Sequence, residues 1–172
     1  MGDNLIPVKI SVNDIEIRNI EKSELNEVLL CVNESEDSFS VLGRTKPFTY
    51  NDIEQRYLET LISSLEFFCG VYLNGSIIGI IKGRIESKNC NELWILSFLL
   101  SGKYRGKGMG SNVLEAFENY FLHNYSIEKF CVLTYENNKR SHEFWKKNNY
   151  KLARITKTSN EVELSMVIFE KK

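Results

Sequence analysis

The segment Arg105-Gly106-Lys107-Gly108-Met109-Gly110 constrains this chain more than any other. Before it runs an apolar stretch, 91–100, dense in Leu, Ile, Phe and Trp. After it, Val113, Leu114, Phe117, Tyr120 and Phe121 recur at helical spacing. The order is therefore strand, glycine turn, helix. Glycines in such a turn let backbone N–H groups approach a ligand without interference from Cβ. The N-terminus of the helix that follows favours an anion. Lys103, Arg105 and Lys107 add three positive charges within five residues. A pyrophosphate suits such a loop. It is not a P-loop, because no Gly-Lys-Ser/Thr closes it, and its glycines stand two apart, not in G-x-G-x-x-G order. A Rossmann site would also place the loop after the first strand.

The rest of the chain reads as alternating elements. Residues 1–13 are expected to form an N-terminal tail, and 14–172 one domain. Asp14–Ile20 is a strand with Ile15, Ile17 and Ile20 as its apolar residues. Ser23 is expected to cap a helix with Leu25, Val28, Leu29 and Val32 on one face. Asn33–Pro47 reads as a loop, and Thr49 starts a second helix with Ile53, Tyr57, Leu58, Leu61 and Ile62 on one side. Strands Glu66–Leu73 and Ser76–Arg84 flank Asn74-Gly75, a hairpin turn signal. Strand 91–100, helix Met109–Asn124, strand Ile127–Tyr135 and a short helix Asn138–Asn148 follow. Strands Tyr150–Lys157 and Glu161–Phe169, joined by a turn at Ser159-Asn160, end the chain.

This order predicts an α+β protein with three α/β/α-like layers. Strands 93–100 and 127–135 should be parallel neighbours joined by a right-handed crossover through helix 109–124.

Composition narrows the function. Of 172 residues, 42% are hydrophobic and 26% charged, as in an ordinary globular protein. The longest near-apolar run, Trp94–Leu100, is far too short to span a membrane. The N-terminus has Asp3 where a signal peptide would be basic, so a cytoplasmic protein with no membrane partner is expected. Cys31, Cys69, Cys90 and Cys131 form no CxxC pair and read as reduced thiols, with no metal site. The net charge of −1 gives no support to nucleic-acid binding. The halves differ: residues 1–66 carry 13 acidic and 6 basic side chains, and the remainder 10 and 16. An anionic ligand in the second half and a cationic acceptor near the first would fit that split.

Two motifs together resemble the GNAT superfamily of acyl-CoA-dependent N-acetyltransferases. Its signature Gln/Arg-x-x-Gly-x-Gly/Ala at a strand-to-helix junction is matched by Arg105, Gly108 and Gly110, with Tyr104 preceding. Its downstream Asn-x-x-Ala/Ser-x-x-Phe-Tyr-x-Lys is matched by Asn138, Ser141, Phe144 and Lys147, with Trp145 in place of Tyr. The resemblance implies the GNAT fold: a mixed, mostly antiparallel sheet of six to seven strands with a central parallel pair, flanked by about four helices.

It also implies a reaction: transfer of an acetyl group from acetyl-CoA to a primary amine, with CoA as product and no metal. The amine could be a small molecule or a peptide, and the amine attacks directly in a ternary complex. The implied pyrophosphate donors are backbone groups of Arg105, Gly106, Lys107, Gly108, Met109, Gly110 and Ser111. The pantetheine arm would pair with backbone near Phe98, Leu99 and Leu100. Asn138, Ser141, Phe144, Trp145 and Lys147 would complete the cofactor site, with Trp145 near the sulfur or in the core. A backbone N–H near Leu100 is the implied oxyanion donor. Relatives use a Tyr as acid where this chain has Trp145, and a strand carboxylate where it has Ser97. Glu92, earlier on that strand, and Tyr135, at the end of the neighbouring one, are the remaining catalytic candidates; His142 is expected to face solvent. Members of the superfamily often form a homodimer through the sheet edge or the C-terminal strands. A catalytically idle CoA-binding sensor on the same fold is the alternative.

Overall fold

The computed structural model describes residues 5–157 and 165–172. Its eight strands are β1 (Lys9–Val12), β2 (Ile15–Asn19), β3 (Glu66–Leu73), β4 (Ser76–Ser87), β5 (Asn91–Leu100), β6 (Lys129–Tyr135), β7 (Lys151–Lys157) and β8 (Ser165–Lys171). They form one sheet in the order β1-β2-β3-β4-β5-β6-β8-β7. Every pairing is antiparallel except β5 with β6. The helices are α1 (Leu25–Val32), α2 (Glu36–Val41), α3 (Tyr50–Leu61), α4 (Met109–Tyr125) and α5 (Lys139–Lys147).

Side chains alternate across the sheet and build two cores. Phe67 faces one way, against Phe117 and Phe121 of α4, with ring centroids 5.4 and 5.3 Å away. Phe68 faces the other way and joins Leu25, Val28, Phe48, Ile53, Ile80 and Leu99. The three layers are therefore α1–α3, the sheet, and α4 with α5.

Three sequence expectations change. Residues 9–12, assigned to a tail, form β1 on the outer edge of the sheet, and Ile6, Val8 and Ile10 are buried in the larger core. This alternating Ile/Val segment is too short to stand out, and burial makes it a strand. The stretch 33–47 contains α2, because Ser35 caps it by accepting the Ser38 N–H at 3.2 Å. Ser23 caps nothing. Glu21 and Glu24 form a capping box around a single 3-10 turn that leads into α1. Thr49 does cap α3, in a box with Asp52. The Asn74-Gly75 turn forms with both residues at positive φ. The turn expected at Ser159-Asn160 lies outside the described residues.

The relationship that creates the site is between β5 and β6. Their parallel pairing runs only from Glu92↔Lys129 to Ile95↔Val132. Beyond it, β5 continues to Leu100 and β6 to Tyr135 without pairing each other. A bulge in β5 against β4 falls at the same point: Gly83 pairs with Ile95 and Lys82 with Ser97, leaving Leu96 as the extra residue. The bulge turns β5 away from β6 and opens the centre of the sheet.

Candidate active site

The backbone of β5 faces that opening. Ser101 N donates to Ile78 O at 2.7 Å, and Gly79 is the register partner of Leu100. In an antiparallel ladder, hydrogen-bonded and non-hydrogen-bonded pairs alternate. Leu99 therefore bonds to β4, whereas the N–H and C=O of Phe98 and Leu100 point towards the side that β6 has vacated. The Leu100 carbonyl is met there by Arg105, whose Nε donates to it at 2.7 Å.

Where β5 ends, Glu34 organises the turn. Its carboxylate accepts from Ser101 Oγ at 2.8 Å and from Gly102 N at 3.0 Å. The Gly102 N–H, with the Ser101 hydroxyl and the nearby Lys103 and Arg105, holds its pKa below the usual carboxylate range against a smaller effect of burial. Arg105 reaches back across the same turn to donate to Ser38 Oγ on α2 at 3.2 Å. The glycine loop is thus fixed to both β5 and the α1–α3 layer.

Gly106 and Gly108 have φ of +73° and +79°, the left-handed region that L side chains rarely adopt. Gly108 is the N-cap of α4, and no side chain caps that helix. The first amides of α4 therefore open onto the cleft.

A cavity of about 260 Å³ occupies this position. Phe98, Leu99 and Leu100 form one wall and Arg105, Gly106, Gly108, Gly110 and Ser111 another. Asn138, Ser141, Phe144, Trp145 and Lys147, from the turn before α5 and α5 itself, close it. Gly110 lies against Phe144, whose ring stands 5.5 Å from that of Phe98. Three expected residues do not line it with side chains. Tyr104 and Met109 pack against the larger core, and Lys107 is exposed on the outside of the loop. Val41 and Arg140 line it without having been anticipated.

A second cavity, of about 210 Å³, continues from the first along the opening between β5 and β6. Val41, Phe98, Ser141 and Trp145 border both. Tyr135 lines the second, with its ring over Gly43, where a Cβ would overlap it. Arg56 and Lys82 also line it. Among the described residues, no carboxylate and no imidazole lines either cavity.

Glu92 sits where β5 and β6 are still paired, six residues before Phe98, a distance of about 20 Å along a strand. It accepts from Lys129 Nζ at 2.6 Å and from Trp94 Nε1 at 3.1 Å. The Lys129 bond, with that of Trp94 and against burial, lowers its pKa, and Glu92 lines neither cavity. Two acids of the first half are held within the fold. Glu34 holds the turn, and Asp52 closes the α3 capping box and pairs with Arg44 at 2.9 Å.

Trp145 is 3% exposed and packs edge-on to Phe144 and Tyr150. Its Nε1 donates to Ser141 Oγ at 2.9 Å, and Thr134 Oγ1 donates to the same oxygen at 3.3 Å. Asn138 uses its side-chain oxygen to cap α5, accepting from Ser141 N at 3.1 Å. His142 Nε2 lies 2.9 Å from the Tyr135 carbonyl oxygen, a contact that fixes the end of β6. The four cysteines are free thiols; burial pushes Cys31 up to about 11 and Cys131 up to about 12, so neither is a ready nucleophile. No described helix is long and apolar enough to cross a membrane.

A sheet opened at its parallel pair, with a glycine loop and an uncapped helix at one end of the opening, defines an acyl-CoA-dependent transferase fold. Residues 17–163 match the family described as the acetyltransferase (GNAT) domain, and the chain belongs to that family. Among solved structures, an acetyltransferase from Salmonella typhimurium that modifies the N-terminal serine of a ribosomal protein is 14% identical. The match covers 95% of this chain and 98% of that one, with a TM-score of 0.77. The ribosomal-protein alanine acetyltransferase of Vibrio fischeri is 15% identical, covering 95% and 96%, with a TM-score of 0.75. The microcin C7 self-immunity acetyltransferase, solved with acetyl-CoA and AMP, is 16% identical over 93% of each chain, with a TM-score of 0.73. No curated protein matches the sequence.

Proposed function

We propose that this protein transfers an acetyl group from acetyl-CoA to an α-amino group by direct attack in a ternary complex. One observation carries the reading: the donor and acceptor cavities meet where β5 and β6 part, at a wall shared by Phe98 and Ser141.

The residues present fit the cofactor. The uncapped amides of Gly108 to Ser111 suit its pyrophosphate, and Arg105, Arg140 and Lys147 add positive charge around the same cavity. The Phe98 and Leu100 backbone, directed into the opening, suits the amides of a pantetheine arm as an added strand would. When bound, acetyl-CoA supplies a thioester that a neutral amine attacks, so that a C–N bond forms, the C–S bond breaks and the thiolate leaves.

The chain's own groups then have three tasks. Of the N–H groups of Phe98 and Leu100, which face the opening, one can stabilise negative charge on the carbonyl oxygen while the other serves the pantetheine arm. Ser141 can relay a proton to the leaving sulfur: its hydrogen passes to the sulfur as its oxygen takes up the proton that the newly acylated nitrogen loses, so the serine is restored. Its oxygen already accepts from Trp145 and Thr134, so its own hydrogen is left for the wall common to both cavities. A thiol pKa of about 8.5 keeps the demand on that proton modest. The third task, taking a proton from the acceptor, has no carboxylate or imidazole to perform it among the described lining residues. An α-amine, of pKa about 7.7–8.0, is about half neutral at pH 8, whereas a lysine amine of pKa about 10.4 is well under about one per cent neutral. The α-amine is therefore the acceptor that this cleft can use. The N-terminal serine substrate of the Salmonella relative supports the same choice.

The missing base also favours the second reading, a CoA-binding sensor without turnover. Calorimetric titration with acetyl-CoA, alongside the double variant Arg105→Ala/Gly108→Ala, followed by thiol release with peptide N-termini and with polyamines, separates them. Binding that the variant loses, with turnover of peptide α-amines, is the expected result. Binding without turnover of any amine selects the sensor. No binding overturns both.

A further inference from the structure

The second cavity holds two cations that acetyl transfer alone does not require. Lys82 is one. Its side chain is only 10% exposed, and its single carboxylate neighbour among the described residues, Glu66, is 3.4 Å away. A charge-assisted bond is about 2.7–2.9 Å, so that contact is long, and an ammonium has three donors to satisfy. Glu66 itself does not line the cavity. Arg56 of α3 is the other cation. Its guanidinium lies 5.1 Å from the Phe48 ring centroid and has no carboxylate partner among the described residues. A lysine this deeply buried with so little compensation costs stability unless an anion completes it.

Resting on the acetyl-transfer reading, we infer that the acceptor carries a carboxylate within a few bonds of its α-amine, held by Lys82 and Arg56. The spacing follows from the sheet. Lys82 is the cross-strand partner of Ser97, and Ser97 precedes Phe98 in the wall where the cavities meet. Cross-strand Cα atoms are about 5 Å apart, so Lys82 belongs to the part of the cavity beside that wall, which suits an anion carried on the same residue as the reacting nitrogen. The two cations also disfavour an ammonium beside them, which leaves more of the amine neutral and reactive. The same charges disfavour a polyamine or a basic peptide. An N-terminal Asp or Glu of a peptide and a free acidic amino acid share this chemistry. The lower pKa of a peptide α-amine favours the peptide.

The test measures thiol release from acetyl-CoA with Glu-Ala-Ala, Gln-Ala-Ala, Lys-Ala-Ala and free glutamate. Expected is a kcat/KM for Glu-Ala-Ala at least about tenfold above Gln-Ala-Ala, with Lys-Ala-Ala lower still. Arg56→Gln and Lys82→Met should each bring the Glu-to-Gln ratio towards one while the Kd for acetyl-CoA is unchanged. If Lys82→Met does not fold, Arg56→Gln on the partly exposed α3 decides alone. Free glutamate outpacing the peptide would identify a small-molecule acceptor of the same chemistry. Turnover with no preference for Glu over Gln, or a ratio that Arg56→Gln leaves intact, overturns the inference while leaving acetyl transfer standing. Loss of acetyl-CoA binding in the wild type overturns acetyl transfer, and this inference with it.

Discussion

The indole N–H of Trp145 is donated to Ser141 Oγ at 2.9 Å, and that serine borders both cavities. The tryptophan that stands where relatives carry an acid cannot release a proton usefully, but it can aim one. Ser141→Ala is expected to lower kcat about 10–100-fold, at or below the low end of general acid catalysis, because a thiolate leaves tolerably well unaided. The deficit should shrink as pH rises past the thiol pKa, while acetyl-CoA affinity changes little. A pH profile of kcat for wild type and variant checks this; a uniform loss at every pH would refute the proton-source role.

Gly108 turns the chain into α4 with φ of +79° and nothing within 4 Å of where a Cβ would stand. A substitution there strains the backbone without a steric clash. Gly108→Ala is expected to cost about 1–2 kcal/mol. If the strain is relieved by re-aiming the first α4 amides, about 1.4 kcal/mol of it appears as tenfold weaker acetyl-CoA binding. Gly108→Asn should retain more of both, because asparagine tolerates the left-handed region. Thermal unfolding and calorimetry on the two variants separate backbone strain from simple crowding, which would rank asparagine worse.

Glu92 is bonded to Lys129 at 2.6 Å at the paired end of β5 and β6, away from the cleft. Glu92→Gln should leave kcat within about twofold of wild type and lower stability by about 1 kcal/mol, the size of a partly buried ion pair's hydrogen bond. A hundredfold loss of kcat with normal stability would restore it as the base.

On α4, Glu118 lies within the larger core's helix layer with a side chain only 8% exposed. It accepts from Tyr150 Oη at 2.6 Å and from Lys171 Nζ at 2.7 Å. This one carboxylate joins α4 to the start of β7 and the end of β8. Burial and the carboxylate together raise the Tyr150 pKa, so the hydroxyl stays a donor at all working pH values. Glu118→Ala leaves both donors without their acceptor and should cost about 2–4 kcal/mol in urea unfolding, with acetyl-CoA affinity unchanged.

Local features of this site were legible in the sequence. Arg105, Gly108 and Gly110 are neighbours in the chain, and a strand, a glycine turn and a helix leave few arrangements for them. Asn138, Ser141 and Phe144 follow a strict spacing on one short helix. What depends on where two strands part company was not legible. Glu92 and Phe98 share β5, and the sequence does not mark Ile95 as the last residue paired to β6. Lys82 and Arg56 lie far apart in the chain, and the β3–β4 hairpin and α3 bring them together. One signal was present: Lys82 ends the apolar run Ile77–Ile81 in the middle of a strand, and a charge placed there needs a partner or a task. Within the acid-rich residues 1–66, Glu34 and Asp52 are engaged in a turn and a cap, which the charge balance does not reveal.

Glu34 links that balance to the pH response of the cofactor site. Its carboxylate accepts from Gly102 N and Ser101 Oγ, and these donors, the Gly102 amide first, depress its folded-state pKa. A group depressed on folding contributes stability that is fully present above its unfolded pKa, about 4.3 for Glu, and is lost as pH falls through the lower folded value. Protonation would release the turn that carries Lys103 and Arg105 into place. The wild type should therefore lose stability as pH falls below about 4.3, and acetyl-CoA affinity at lower pH still, through the depressed folded value. Glu34→Gln should be less stable than wild type near neutrality and should lack this part of the acid transition. Because hydrogen-bond donors cause most of the shift, raising the salt concentration should leave the difference in place. Urea unfolding of both proteins between neutral and acid pH checks the sign, and parallel acid transitions in the two would refute the role assigned to Glu34.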